Sequence, residues 1–206
     1  MKFRNEEKLR IANSKIFQLK EWISKNNGFE LHPNRPINSI YFDNHNLSMF
    51  NESIEGVTPR KKIRLRSYDK EFNFNHKTNK EVKITSVEGR FKTSESIKDT
   101  FNTLKFGIYD NIYGLCVPVL NVIYERSYFK VKDIRLTIDK NIIYKNFNNG
   151  EISKFSTVDN FNIVELKYDF KKSIDEVIKN FPFERVRFSK YCRGIEFTKL
   201  NYCNEI

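Results

Sequence analysis

Glycine, proline and cysteine are all scarce in this chain of 206 residues, and each scarcity excludes a class of structure. Seven glycines and five prolines rule out collagen-like repeats and Pro/Gly-rich linkers, and no GxxxxGK[ST] phosphate loop occurs. Three cysteines, an odd number without CxxC spacing, favour reduced thiols in a cytosol. No apolar run approaches the roughly 20 residues that span a bilayer, and the polar N-terminus lacks a secretory apolar segment.

Positive charge and aromatic residues are abundant instead. The chain has 37 Lys and Arg against 26 Asp and Glu, a net charge of +11, and 15% of its residues are aromatic. This composition excludes a disordered tail. The charge indicates an anionic partner, which could be nucleic acid, a membrane surface or a phosphate compound. No repeat or break in composition divides the chain, so we expect a single domain over residues 1–206.

The pattern of apolar residues predicts a fold of the α+β class, mainly antiparallel β. Helices are predicted over residues 13–25, over residues 94–105, and from the capping box Ser173-x-x-Glu176 to Pro182. Strands are predicted over residues 3–11, 37–42, 62–68, 80–85, 117–129, 134–139 and 161–170. The short link Lys132-Asp133 predicts that the two strands around it are antiparallel neighbours.

Charged residues share one face in most of these strands, because residues i, i+2 and i+4 point the same way. Arginines recur on the charged faces beside single carboxylates: Arg4, Arg64, Arg66, Arg126 and Arg135. For any one strand, the ordinary explanation is a sheet with a solvated face. Repetition over six strands favours a closed β-barrel whose charged face lines a lumen. Such a lumen is tolerable only if it is wet or holds a polyanion, so the pattern predicts a phosphate-binding tunnel with a few carboxylates left for a metal.

Seven short motifs then occur in an order that resembles a known family. They are Ser39-Ile-Tyr-Phe-Asp-Asn44, Lys62-Ile-Arg-Leu-Arg-Ser-Tyr68, Glu81-Val-Lys83, Tyr124-Glu-Arg126, Arg135-Leu-Thr-Ile-Asp139, Val164-Glu-Leu-Lys-Tyr168 and Phe188-Ser-Lys-Tyr191. The chain resembles the VTC domain, the polyphosphate polymerase domain of the vacuolar transporter chaperone proteins and their bacterial relatives. That domain belongs to the triphosphate tunnel metalloenzymes.

The resemblance implies a barrel tunnel that transfers the γ-phosphate of ATP to a growing polyphosphate chain, with Mn²⁺ or Mg²⁺. It implies a set of catalytic, phosphate-binding residues: Lys8, Arg64, Arg66, Lys83, Arg126 and Arg135. It implies further contacts with the substrate from Tyr124, Lys92, Lys167, Arg187, Ser189 and Lys190. The implied metal ligands are Glu165 and Glu6.

The chain also departs from the family pattern. Leu9 stands where an aromatic residue is usual, and Arg187 stands where some members carry lysine. No SPX domain or transmembrane segment is visible, so the expectation is a soluble, monomeric, cytoplasmic bacterial enzyme with ATP and inorganic polyphosphate as partners. A tunnel triphosphatase and a non-catalytic polyphosphate-binding module stay open as alternatives. General nucleic-acid binding is less favoured, since it predicts an outer basic stripe rather than alternating faces.

Overall fold

Strands make up most of the chain that the computed structural model describes, namely residues 4–72, 78–148, 150–169, 181 and 183–200. The strands in these residues are β1 (Arg4–Ala12), β2 (Phe29–Asp43), β3 (Arg60–Ser67), β4 (Thr78–Ser86), β5 (Gly89–Ile97), β6 (Ile108–Asp110), β7 (Gly114–Val131), β8 (Ile134–Asn148), β9 (Glu151–Ile152), β10 (Thr157–Val158) and β11 (Phe161–Asp169). The helices are α1 (Ile16–Lys25), α2 (Ser48–Glu55), α3 (Thr100–Phe106) and α4 (Lys190–Lys199), and a 3-10 turn, Asn13–Lys15, precedes α1.

The hydrogen-bonded order of the sheet is β1-β11-β8-β7-β2-β3-β4-β5, and its pairs are mostly antiparallel. Strand β6 pairs with β7, while β9 and β10 pair with β8. The predicted mainly antiparallel architecture with a few helices is therefore confirmed. The order has two ends, β1 and β5, and no pairing joins them within the described residues. Closure of the sheet into a barrel is not confirmed.

The first of two compact units comprises residues 1–35, 124–142 and 159–188. Its core forms where one face of α1 packs on β1, β8 and β11, because Leu19, Trp22 and Ile23 of the helix share one side at helical spacing. Trp22 also meets Phe181 edge-on, with ring centroids 4.7 Å apart. The apolar residues of the three strands supply the other half of this core. The alternate residues of the same strands thus remain for a charged face.

The second unit comprises residues 36–123, 143–158 and 189–206, and in it α4 approaches its neighbours closely. A Cβ atom on Gly194 would lie 2.5 Å from Leu120 Cδ2 and 2.7 Å from Tyr144 Cδ1, so only glycine fits without movement. The buried carboxylate of Asp43, at the end of β2, accepts the hydroxyl hydrogen of Tyr191 at 2.5 Å. The same carboxylate accepts backbone N–H groups at the start of α2. One carboxylate therefore fixes the ends of both helices.

The structure corrects part of the predicted helix over residues 94–105. Residues 94–97 belong to strand β5, which pairs with β4 along its whole length, and the helix is confined to Thr100–Phe106. Asp99 caps it by accepting the Asn102 backbone N–H at 2.9 Å. The helix predicted from Ser173 lies outside the described residues. Among the helices of the described chain, none is long and apolar enough to cross a membrane.

Candidate functional site

One face of strands β3, β4 and β5 carries a dense set of cations. The antiparallel register places Lys62 opposite Lys83, and Lys83 opposite Lys92, so three lysines form a row across three strands. In the next row, Arg64 lies opposite Glu81. Like charges directly opposite each other destabilise a sheet. A row of three lysines is therefore unusual unless the surface accommodates anions.

Glu81 is the carboxylate around which this face is organised, and only 4% of it is exposed. Arg64 donates two hydrogen bonds to its Oε2, from Nε at 2.8 Å and from Nη2 at 2.6 Å. Lys92 Nζ lies 2.5 Å from Oε1, and Arg66 Nη1 lies 3.6 Å from Oε2. We name these four residues the Glu81 cluster. Its three cations outnumber its single carboxylate, so it keeps a net positive charge.

The electrostatics of the Glu81 cluster hold its carboxylate ionised. Burial alone favours the neutral form of Glu81, but the charges of Arg64 and Arg66 and the hydrogen bond from Lys92 outweigh it. Together they lower the pKa of Glu81 to about 2. Burial lowers the pKa of the Lys92 ammonium, although the contact with Glu81 opposes that effect. The cluster is thus a charged arrangement at neutral pH.

Tyr41 borders the Glu81 cluster. Its hydroxyl oxygen accepts a hydrogen bond from Arg64 Nη1 at 2.9 Å, and its ring stacks on that of Tyr191 with centroids 5.1 Å apart. Burial raises the pKa of Tyr41. The positive charges of Arg64, Arg66 and Lys190 have the larger, opposite effect, and together they lower this pKa to about 8. The positive charge around Tyr41 thus makes this phenol more acidic than an ordinary tyrosine. The sequence pattern did not single out Tyr41, although it lies within the Ser39–Asn44 motif.

Ser189 and Lys190, two of the predicted substrate contacts, lie at the start of α4. The Ser189 hydroxyl accepts the Cys192 backbone N–H at 3.3 Å and so caps the helix. It also accepts a hydrogen bond from Lys62 Nζ at 2.9 Å. Lys190 is half-buried, and its positive charge contributes to the lowered pKa of Tyr41. Ser189 thus connects α4 with the lysine row, a connection that the sequence alone did not predict.

A second group of charges occupies the first unit, on one face of β1, β11 and β8. Glu6 lies opposite Lys167, and Lys8 lies opposite Glu165, so acids and bases alternate across the pair of strands. On the other side of Glu165, strand β8 presents Thr137. Arg126 of β7 contacts Asp139 and Glu165 on this face. We name the following residues the Glu165 cluster: Glu6, Lys8, Arg126, Thr137, Asp139, Glu165 and Lys167.

Within the Glu165 cluster, Arg126 and Asp139 form a two-point ion pair. Arg126 Nε lies 2.5 Å from Oδ1 of Asp139, and Nη2 lies 2.7 Å from Oδ2. Asp139 is fully buried. Burial lowers the pKa of Arg126, but the negative charge of Asp139 outweighs this effect and raises that pKa above its ordinary range. Tyr124 places its ring 5.3 Å from the guanidinium. The fork of Arg126 is therefore fixed in orientation, with its Nη2 also 3.9 Å from Glu165.

Glu165 is buried but surrounded by positive charge. Burial favours its neutral form, yet Lys167, a hydrogen bond from Glu6, and the charges of Lys8 and Arg126 hold the pKa of Glu165 well below its usual range. Lys167 Nζ lies 2.8 Å from Glu165 Oε1. Lys8 Nζ also donates to the backbone carbonyl of Phe188 at 3.0 Å. The predicted metal ligand Glu165 is thus a carboxylate that its positively charged neighbours keep ionised.

The donors in the Glu165 cluster fit a hard divalent cation. Glu6 and Glu165 are close enough to share a hydrogen bond, and the Thr137 hydroxyl, 4% exposed, makes no hydrogen bond within the described residues. Mg²⁺ and Mn²⁺ favour oxygen ligands and often keep substrate or water in other positions, so two carboxylates and a hydroxyl are a suitable partial set. In the described chain, no three or more His, Cys, Asp and Glu side chains are placed so that together they could hold a metal ion. Two carboxylates and one hydroxyl are thus the oxygen donors that this face offers to such a cation.

Arg135, predicted to bind phosphate, and Arg187, predicted to contact the substrate, both have exposed side chains. The side chain of Arg135 is exposed, with its guanidinium 5.6 Å from the ring of Tyr128. Arg187 is exposed in the segment that precedes α4.

The sequence analysis assigned no role to Lys62, Glu81 and Asp139, although the alternation of each strand already placed them on the charged faces. What was missing was the identity of their partners on neighbouring strands.

The family profile of the VTC domain matches residues 3–199. The chain belongs to the VTC domain family, and the recognition of this family from the motifs is confirmed. A search of curated proteins finds no match.

Three solved structures share the fold at low sequence identity. A candidate adenylate cyclase from Vibrio parahaemolyticus is 12% identical with a TM-score of 0.54, and the match covers 95% of this chain and 98% of that one. A candidate adenylyl cyclase from Hippeastrum, described as having a dominant triphosphatase activity, is 15% identical with a TM-score of 0.56 over 94% and 95% of the two chains. A protein of Pyrococcus horikoshii is 11% identical with a TM-score of 0.51 over 88% and 94%. At sequence identities this low, structural similarity shows a shared fold and nothing about activity.

Proposed function

We propose that this chain transfers the γ-phosphate of ATP to a growing polyphosphate chain with the help of Mn²⁺ or Mg²⁺. The observation that carries the proposal is the cationic face of β3, β4 and β5. There the lysine row, Lys62, Lys83 and Lys92, adjoins the Glu81 cluster, which keeps an excess of positive charge. A polyanion lying on this face offsets the repulsion between the lysines. Membership of the VTC domain family supports the polyphosphate chemistry.

The Glu81 cluster has the donors that a phosphate chain needs. Arg64 and Arg66 present planar forks whose N–H groups suit pairs of phosphate oxygens, and Lys92 adds a mobile point charge. In the protein without ligand, Glu81 satisfies these donors and reduces the repulsion between them. Phosphoryl transfer requires alignment and stabilisation of the charge on the equatorial oxygens rather than covalent participation of the protein. Donors already fixed in place perform that task with little reorganisation.

The Glu165 cluster holds the metal in this proposal. Glu6 and Glu165 would be its ligands, with Thr137 as a neighbouring oxygen donor, and a bound divalent metal would neutralise phosphate charge. Arg126, fixed by Asp139, and Lys8 add positive charge in the same unit. Arg135 remains a proposed phosphate-binding residue, and the remaining proposed substrate contacts are Tyr124, Lys167, Arg187, Ser189 and Lys190. The enclosed tunnel implied by the family resemblance is part of the same proposal.

Hydrolysis of triphosphate is the second candidate function. The same cations would hold the substrate, and water would replace polyphosphate as the acceptor. The Hippeastrum protein, which shares the fold, is described as having a dominant triphosphatase activity. The two reactions differ in the acceptor alone, so their products separate them.

The test is a time course of purified protein with ATP and Mn²⁺ in which ADP, free phosphate and polymer are resolved. The proposal predicts that ADP and polymer appear together and that Arg64→Ala suppresses both. Lys61→Ala is the matched control, because Lys61 lies on the opposite face of β3 and pairs with Asp110 at 2.8 Å. Free phosphate without polymer would establish hydrolysis instead. No turnover with an intact fold would contradict an enzymatic role.

A further inference from the structure

Arg64 lies between two side chains that hold its guanidinium from opposite sides. The register places it opposite Tyr41 of β2 and opposite Glu81 of β4, so the three residues form one row across three strands. Toward β4, Nε and Nη2 of Arg64 both donate to a single oxygen, Oε2 of Glu81. Toward β2, Nη1 donates to the Tyr41 hydroxyl oxygen at 2.9 Å. A rigid guanidinium that is bound at one oxygen can pivot about it, and the contact with Tyr41 removes this freedom.

Tyr41 is itself fixed by its neighbours. It is buried, and its ring stacks on the buried ring of Tyr191 with centroids 5.1 Å apart and planes inclined by 21°. Phe50 meets the Tyr191 ring edge-on, with centroids 6.5 Å apart, and the Tyr191 hydroxyl donates to Asp43. Asp43 in turn accepts backbone N–H groups at the start of α2. A continuous series of buried contacts thus connects Arg64 with the backbone of α2, which leaves the Tyr41 ring little freedom to move.

We propose that Tyr41 is a positioning residue whose hydroxyl holds the Arg64 guanidinium in the orientation that receives a phosphate group. This role rests on the proposed function, because Arg64 is one of the phosphate donors of the Glu81 cluster. A donor that is already oriented loses less side-chain entropy on binding an anion, and reorganises less, than a donor that must first be ordered. Tyr41 therefore acts on the ligand through Arg64.

Calorimetric titration of the whole chain with inorganic triphosphate at pH 7 tests this role. Tyr41→Phe keeps the ring and its stack on Tyr191 but removes the hydrogen bond from Arg64, so we expect binding to weaken about threefold to tenfold. The same substitution in an Arg64→Ala background should change the affinity by less than about twofold, because the residue through which Tyr41 acts is then absent.

Tyr113→Phe is the matched control. Tyr113 is a buried tyrosine of the same unit, and its hydroxyl donates to Glu52 at 2.5 Å. Its ring lies 6.0 Å from the ammonium of Lys61, which is on the opposite face of β3 from Arg64. Tyr113→Phe thus also removes one buried hydroxyl from its partner, and it should bind triphosphate as the unmodified protein does.

A merely structural role of Tyr41 would give different results. It would weaken binding equally with and without Arg64, and that outcome would overturn the proposal. Unchanged or tighter binding in Tyr41→Phe alone would do the same, as would an equal loss in Tyr113→Phe. The proposed reaction fails separately: triphosphate binding without phosphoryl transfer would contradict the transfer and leave the role of Tyr41 in binding intact. No triphosphate binding by the unmodified protein would contradict both.

Discussion

Replacing Glu81 by glutamine removes the carboxylate that gathers three cations while it keeps the shape of the side chain. Glu81 is 4% exposed, so solvent cannot take over the role of its charge. A glutamine amide offers one oxygen to Arg64, Arg66 and Lys92, and its NH₂ group faces donors that need acceptors. We therefore expect Glu81→Gln to lower the free energy of unfolding at neutral pH.

The magnitude follows from the acidity of the carboxyl group. The pKa of Glu81 falls from an ordinary value of 4.5 to about 2 on folding. At about 1.4 kcal/mol for each pKa unit, this difference corresponds to about 3 kcal/mol of stability at pH 7. The Lys92 side chain is 48% exposed, so screening makes this an upper value. Because the folded pKa is the lower one, the contribution is complete above about pH 4.5 and is lost as the pH falls through about 2.

Urea unfolding measures this difference with and without inorganic triphosphate. Glu81→Gln should lose about 2–3 kcal/mol at pH 7, and the gap to the unmodified protein should narrow as the pH falls below 4.5. Triphosphate should stabilise the variant more than the unmodified protein, because it neutralises the cations that have lost their partner. Glu95→Gln is the matched control: Glu95 forms an exposed ion pair with Lys80 on the neighbouring strands, 2.8 Å apart, for which a loss of at most about 1 kcal/mol is expected.

Two results would refute this reasoning. If Glu81→Gln and Glu95→Gln lost the same small stability, burial and the three cations around Glu81 would have no energetic consequence. If the gap between Glu81→Gln and the unmodified protein stayed constant down to pH 2, its origin would be packing rather than charge.

Three further predictions address the proposed activity. Arg64→Ala and Arg66→Ala should each weaken triphosphate binding about tenfold or more, as measured by calorimetry, whereas Lys61→Ala should not; equal losses in all three would indicate a diffuse electrostatic surface. Glu165→Gln should abolish Mn²⁺-dependent turnover while polyphosphate still binds, and an unaltered Mn²⁺ titration with retained turnover would exclude Glu165 as a metal ligand. Triphosphate affinity should fall as the pH rises through about 8, because ionised Tyr41 adds negative charge beside Arg64; the same fall in Tyr41→Phe would assign it to another group.

Much of the fold could be predicted because strand patterns are local. Alternation at a period of two fixes which residues share a face, and it placed Arg64 and Arg66 together and Lys61 opposite them before any strand pairing was known. Helical spacing was equally informative for α1. It was misleading over residues 94–97, where Ile97 fits both patterns and pairing with β4 decides in favour of a strand. Pairing along a whole strand outweighs a weak local preference.

The sequence predicted which types of residue form the candidate site, but it did not predict which of these residues contact one another. The charged faces, the arginines and the family motifs were all readable from the sequence, since composition and parity are properties of single segments. That Glu81 serves three cations, that Asp139 orients Arg126 and that Ser189 accepts from Lys62 depended on tertiary structure. The physical reason is register: a side chain's partners lie on strands and helices distant in sequence, and a shift of one residue in pairing would exchange every one of them.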